Sequence, residues 1–131
     1  MTERRPWYAS PVAGGIVGVF AGGLTIMLLE AAAHQFIGTA DPANPSTITT
    51  PMFLSVVVAW IAGCFMAGTV ATVWSRAQTV LPGVVAGLVL LAGAVMNFVS
   101  FPHPAWVMAA AFLLMPAAAW LAARSRLVRR A

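Results

Sequence analysis

Lysine is absent from this chain, cysteine and tyrosine occur once each, and the acids number three: Glu3, Glu30 and Asp41. Each scarcity excludes something. The lone Cys64 rules out an intrachain disulfide and any multi-cysteine metal or redox motif, and leaves a small apolar side chain to pack. Charged residues make up 8% and hydrophobic ones 61%, against about a quarter charged in soluble domains, so a water-soluble globular fold is excluded. All seven basic residues are arginines, and they stand beside apolar segments. That placement suits anionic lipid head groups, at Arg124, Arg126, Arg129 and Arg130 above all, and argues against nucleic acid as a partner. Enzyme signatures are missing too: no Walker lysine, no nucleotide glycine fingerprint followed by an acid, no Gly-x-Ser-x-Gly, no paired carboxylates. The chain reads as a non-enzyme.

What is present is four long apolar segments, near residues 11–36, 51–74, 80–98 and 104–123, within one transmembrane domain over 1–131. In the first, residues 12–29 rise roughly 27 Å at about 1.5 Å each, close to the hydrocarbon thickness, so Glu30 falls near the far edge of a bilayer. Ala31-Ala32-Ala33 after an apolar run resembles a signal-peptide cleavage site, but the run is too long and Glu30 sits just upstream, so retention is expected. Pro11, Pro51, Pro82 and Pro104 stand at or near the segment starts, where a fixed φ is harmless, and Pro116 is expected to kink the last span. Gly14, Gly18 and Gly22 recur every four residues, as do Ala59, Gly63, Ala67 and Ala71. The two small faces are the expected mates within the chain.

Arg4, Arg5, Arg76 and the four tail arginines fall on one side of a four-span arrangement, and the two opposite loops carry no basic residue. By the positive-inside rule both termini are cytoplasmic, giving an all-α four-helix transmembrane bundle, multi-pass in a bacterial inner membrane. Trp7, Tyr8, Trp74 and Trp120 mark the inner interface, and Phe36, Phe53, Phe101 and Trp106 the outer one. A weak internal echo joins the two hairpins: the second and fourth spans open on Pro51 and Pro104 and are expected to end at Ser75-Arg76 and Ser125-Arg126.

The strongly polar side chains gather in the outer layer. Glu30 and His34 share one helix face a turn apart. Asn97 ends the third span at the same level, where its amide needs a partner if buried, Ser55 begins the second, and Pro102-His103-Pro104 fixes a turn beside them. An ionisable group inside a span is rarely kept without a partner or a task. Four readings follow from these residues. Glu30 with His34 can relay protons, because His titrates near neutrality. Glu30, His34 and His103 can supply three ligands to a divalent cation. Glu30, His34, Asn97 and His103 can line a pocket for an ion or small ligand, as a transport component or accessory subunit. Alternatively Glu30 pairs with His34 or Asn97 and only fixes packing, in a structural or assembly protein whose glycine faces recruit a further copy or another membrane protein.

The Glu and His that end the first span, the run Ala59-Trp60-Ile61-Ala62-Gly63 with Ala67-Gly68, and Pro102-His103-Pro104-Ala105-Trp106 before the last span resemble a group of small bacterial four-span membrane proteins of uncharacterised function. The resemblance covers nearly the whole chain. It implies the four-span architecture and the membership of Glu30, His34 and His103 in one site; it brings no activity with it.

Overall fold

The computed structural model describes residues 6–41 and 43–128, and these are helical with no strand. Four helices account for most of them: α1 (Pro11–Ile37), α2 (Thr50–Trp74), α3 (Leu81–Ser100) and α4 (Ala105–Val128). Short 3-10 turns at Trp7–Ala9 and Pro45–Thr47 precede α1 and α2. Ser10 caps α1, its hydroxyl oxygen accepting from the Ala13 N–H at 3.1 Å, with Pro11 in the first turn. The helix ends at Gly38, whose φ of +94° is one a side chain would resist, and whose N–H still reaches the His34 carbonyl. All four helices are long and apolar enough to cross a membrane, the makings of a multi-pass membrane protein.

The packing inverts that of a soluble bundle. Large apolar side chains face outward, Phe20 at 76% and Leu113 at 71% exposure among them, while the interior is built mainly of alanine and glycine. Where lipid is the solvent, burying a large apolar side chain gains little, and close backbone approach through small residues is what holds helices together. α2 is central and packs on the other three, whereas α1 and α4 lie on opposite sides of it.

The expected pairing of small faces is found. A methyl group placed on Gly14 would meet Ser75 at 2.6 Å, one on Gly18 the Ala67 carbonyl at 2.7 Å, and one on Gly22 the Gly63 carbonyl at 2.6 Å. This antiparallel zipper seats α1 on α2. On the other side, Ala119 and Ala123 of α4 fit against Gly68 of α2 and Gly83 and Gly87 of α3. Cys64 is fully buried among Val107, Ala111 and Met115, as a small apolar residue should be.

These contacts fix the ends. Gly14 beside Ser75 and Gly83 beside Ala123 bring Arg76, Arg124 and the start of α1 to one end of the bundle. The Trp74 indole N–H donates to the Tyr8 carbonyl there at 2.7 Å, and the Arg124 guanidinium lies 5.0 Å from the Trp120 ring centre. Arg4, Arg5, Arg129 and Arg130 lie outside the described residues.

Two expectations need correction. α4 does not stop near Ala123 but runs to Val128, so Ser125 and Arg126 are inside a helix while Ser75 and Arg76 follow one. The echo between the hairpins fails at that end, because a long arginine can reach a polar surface without the helix ending. Pro116 sits within the same continuous helix.

Candidate functional site

At the end of the bundle away from Arg76 and Arg124, a cavity of about 190 Å³ opens among α1, α2, α3 and the α3–α4 turn. Glu30, His34, Ser55, Asn97 and His103 all line it, together with Phe53, Trp60 and Phe101 among others. The four residues expected from the sequence to share a pocket therefore do share one. A larger groove of about 590 Å³ lies between α1 and α3 toward the other end, walled by Val12, Ile16, Phe20, Val85 and Val89 with no titratable side chain. Such a wall suits a lipid chain and offers no chemistry.

The local geometry begins with Trp60, which sequence reasoning passed over. Its side chain is 3% exposed, and its indole N–H donates to Oε1 of Glu30 at 3.1 Å. Glu30 is thus hydrogen-bonded to α2, and among the described residues neither His34 nor Asn97 makes a hydrogen bond to it. A signal for this was available: an indole N–H in the middle of an apolar span needs an acceptor, and Glu30 is the one carboxylate within a span.

His103 is the second surprise. Its side chain is half-buried, with ring centres 5.1 Å from Phe98, 5.6 Å from Phe53 and 6.2 Å from Trp60. Its Nδ1 lies 2.8 Å from the Phe101 carbonyl. A carbonyl only accepts, so Nδ1 carries the hydrogen and Nε2 is the nitrogen left for other partners. Trp60 therefore touches both ends of the site, through its N–H to Glu30 and through its ring to His103.

Asn97 and His34 are more open than expected. Asn97 is exposed in the last turn of α3, which runs two residues beyond the predicted end. His34 is exposed one turn beyond Glu30. The Ser55 hydroxyl donates to the Met52 carbonyl of its own helix at 2.8 Å.

Among the described residues, no three His, Cys, Asp or Glu side chains are grouped so as to hold a metal ion. Glu30, His34 and His103 line one cavity without converging on a common point, so the expected divalent-cation set finds no three-ligand geometry here.

Compared with protein-family models, curated proteins and solved structures, the chain matches none. Of what the resemblance to small four-span proteins implied, the four membrane-capable helices are present, and no activity can be carried over from a relative.

Proposed function

We propose that the protein is a small multi-pass protein of a bacterial inner membrane, with both termini in the cytoplasm, whose outer-leaflet cavity binds an ion or small ligand. One observation carries this reading: an acid, two imidazoles, an amide and a hydroxyl from three helices and a turn line a single cavity, in a chain whose helices are apolar enough to span a membrane. Side chains of this kind are costly in a membrane and concentrate where something polar is held. The orientation rests on the arginines, which favour the cytoplasmic side. A bundle of four helices can hardly enclose a wide channel, so a part in transport would be that of a component or accessory subunit.

A purely structural role is the second reading, favoured by the Trp60 to Glu30 hydrogen bond, which ties α1 to α2 at a fixed register. The two separate on Glu30→Gln and Asn97→Ala. Unfolding temperatures in detergent are measured with and without small cations, anions and neutral compounds, because a ligand that binds the native state raises its stability. A binding cavity predicts that both variants stay within about 1 kcal/mol of the parent and lose a stabilisation that some compound gives it. If no compound stabilises the parent and Trp60→Phe, which removes the hydrogen bond to Glu30, unfolds early, the structural reading stands instead.

A further inference from the structure

Taking the cavity as a ligand site, as just proposed, the hydrogen-bonding state of its walls also indicates the class of ligand. Three of its donors are already engaged by protein acceptors. The Trp60 N–H is held by Glu30, the Ser55 O–H by the Met52 carbonyl, and the His103 Nδ1–H by the Phe101 carbonyl. The acceptors are not used up in the same way. Among the described residues Glu30 Oε2 accepts from no protein group, the Ser55 oxygen keeps its lone pairs, and Nε2 of a neutral His103 is open. Only Asn97 and His34 bring both capacities. No arginine lines the cavity, whose wall also carries the aromatic side chains of Phe53, Trp60 and Phe101.

An anion would meet a carboxylate and few free donors. A metal ion would lack a converging ligand set. A ligand that donates hydrogen bonds and carries positive charge meets what the walls have left over, since carboxylates and aromatic rings both favour cations. The volume of about 190 Å³ is below the roughly 300 Å³ at which drug-sized sites begin. We infer that the cavity takes a small organic ammonium ion with N–H groups, its head on Glu30 Oε2 and its apolar part against Phe53 and Phe101.

The test uses the full chain in detergent, titrated calorimetrically with four probes of one shape: benzylammonium, benzyltrimethylammonium, benzyl alcohol and benzoate. Ser55→Leu, which puts a bulky apolar side chain on the cavity wall and leaves the Glu30 carboxylate in the sequence, serves as the reference for partition into the micelle. Benzylammonium should bind saturably, at least tenfold more tightly than the other three, and Glu30→Gln should weaken it at least tenfold. The comparison among probes needs no variant, so it decides the matter even if Glu30→Gln folds poorly. Equal or tighter binding of the quaternary ion, the alcohol or benzoate overturns the ammonium assignment, and so does unchanged affinity in a folded Glu30→Gln protein. If one of those probes still binds the parent and not Ser55→Leu, the cavity survives as a ligand site of another class. If no probe distinguishes parent from Ser55→Leu, the ammonium assignment falls, and the screen of small cations, anions and neutral compounds decides the ligand-site reading separately.

Discussion

Replacing Trp60 by Phe would keep a ring beside Phe98 and His103 while removing the hydrogen that reaches Glu30. A partly buried acceptor that loses its only protein donor destabilises by about 1–2 kcal/mol, so Trp60→Phe should unfold measurably earlier in detergent. Glu30→Gln keeps an amide oxygen in the same place and should stay within about 1 kcal/mol of the parent. Thr72 gives the opposite sign. It is fully buried and its hydroxyl finds no hydrogen-bond partner among the described residues. Thr72→Val exchanges an unsatisfied hydroxyl for a methyl of similar size and should raise stability by about 0.5–1 kcal/mol in the same unfolding measurement. At this scale the sequence told a good deal about level and little about direction. Helix length placed Glu30, His34, Asn97 and His103 in one layer. Which way each side chain turns depends on facing helices: two prolines fix the backbone of the Pro102-His103-Pro104 turn, but the pull of Phe53, Phe98 and Trp60 on the imidazole is a tertiary effect.

The helices themselves were the most legible part, because a membrane demands long uninterrupted apolar runs and leaves few alternatives. The spacing of Gly14, Gly18 and Gly22 against Ala59, Gly63, Ala67 and Ala71 was enough to pair α1 with α2, since only small residues allow two backbones so close. The extra turn of α4 was not legible: Arg124 and Arg126 look like a boundary in composition, although a helix can continue past a lipid surface. The glycines of α1 divide sharply by environment. A Cβ on Gly18 would press on the Ala67 carbonyl at 2.7 Å and on the Ala71 methyl at 2.8 Å, whereas one on Gly15 or Gly23 meets nothing within 4 Å. Gly18→Ala should therefore force α1 away from α2 and lower stability by at least about 2 kcal/mol. Gly15→Ala and Gly23→Ala should be neutral or stabilising by up to about 1 kcal/mol, from helix propensity alone. Circular dichroism through a titration with dodecyl sulfate reads both effects.

For the molecule as a whole, orientation is the first matter to test. A fluorescent protein that folds only in the cytoplasm, fused after Ala131, should fluoresce, and alkaline phosphatase inserted after Ala43 should be active. Dark fusions at the C-terminus together with an inactive phosphatase would reverse the bundle, and the cavity would then open to the cytoplasm. A second whole-molecule property follows from the burial of Cys64, enclosed by α4 with its sulfur 3.8 Å from the Gly87 carbonyl. A water-soluble maleimide can reach that sulfur only when the helices part, so the rate of alkylation becomes a clock for spontaneous opening. In the folded protein it should run at least about a hundredfold slower than in dodecyl sulfate, the factor that roughly 3 kcal/mol of opening free energy supplies, and it should quicken in Gly18→Ala. With a single native thiol, the chain reports its own breathing and needs no added label.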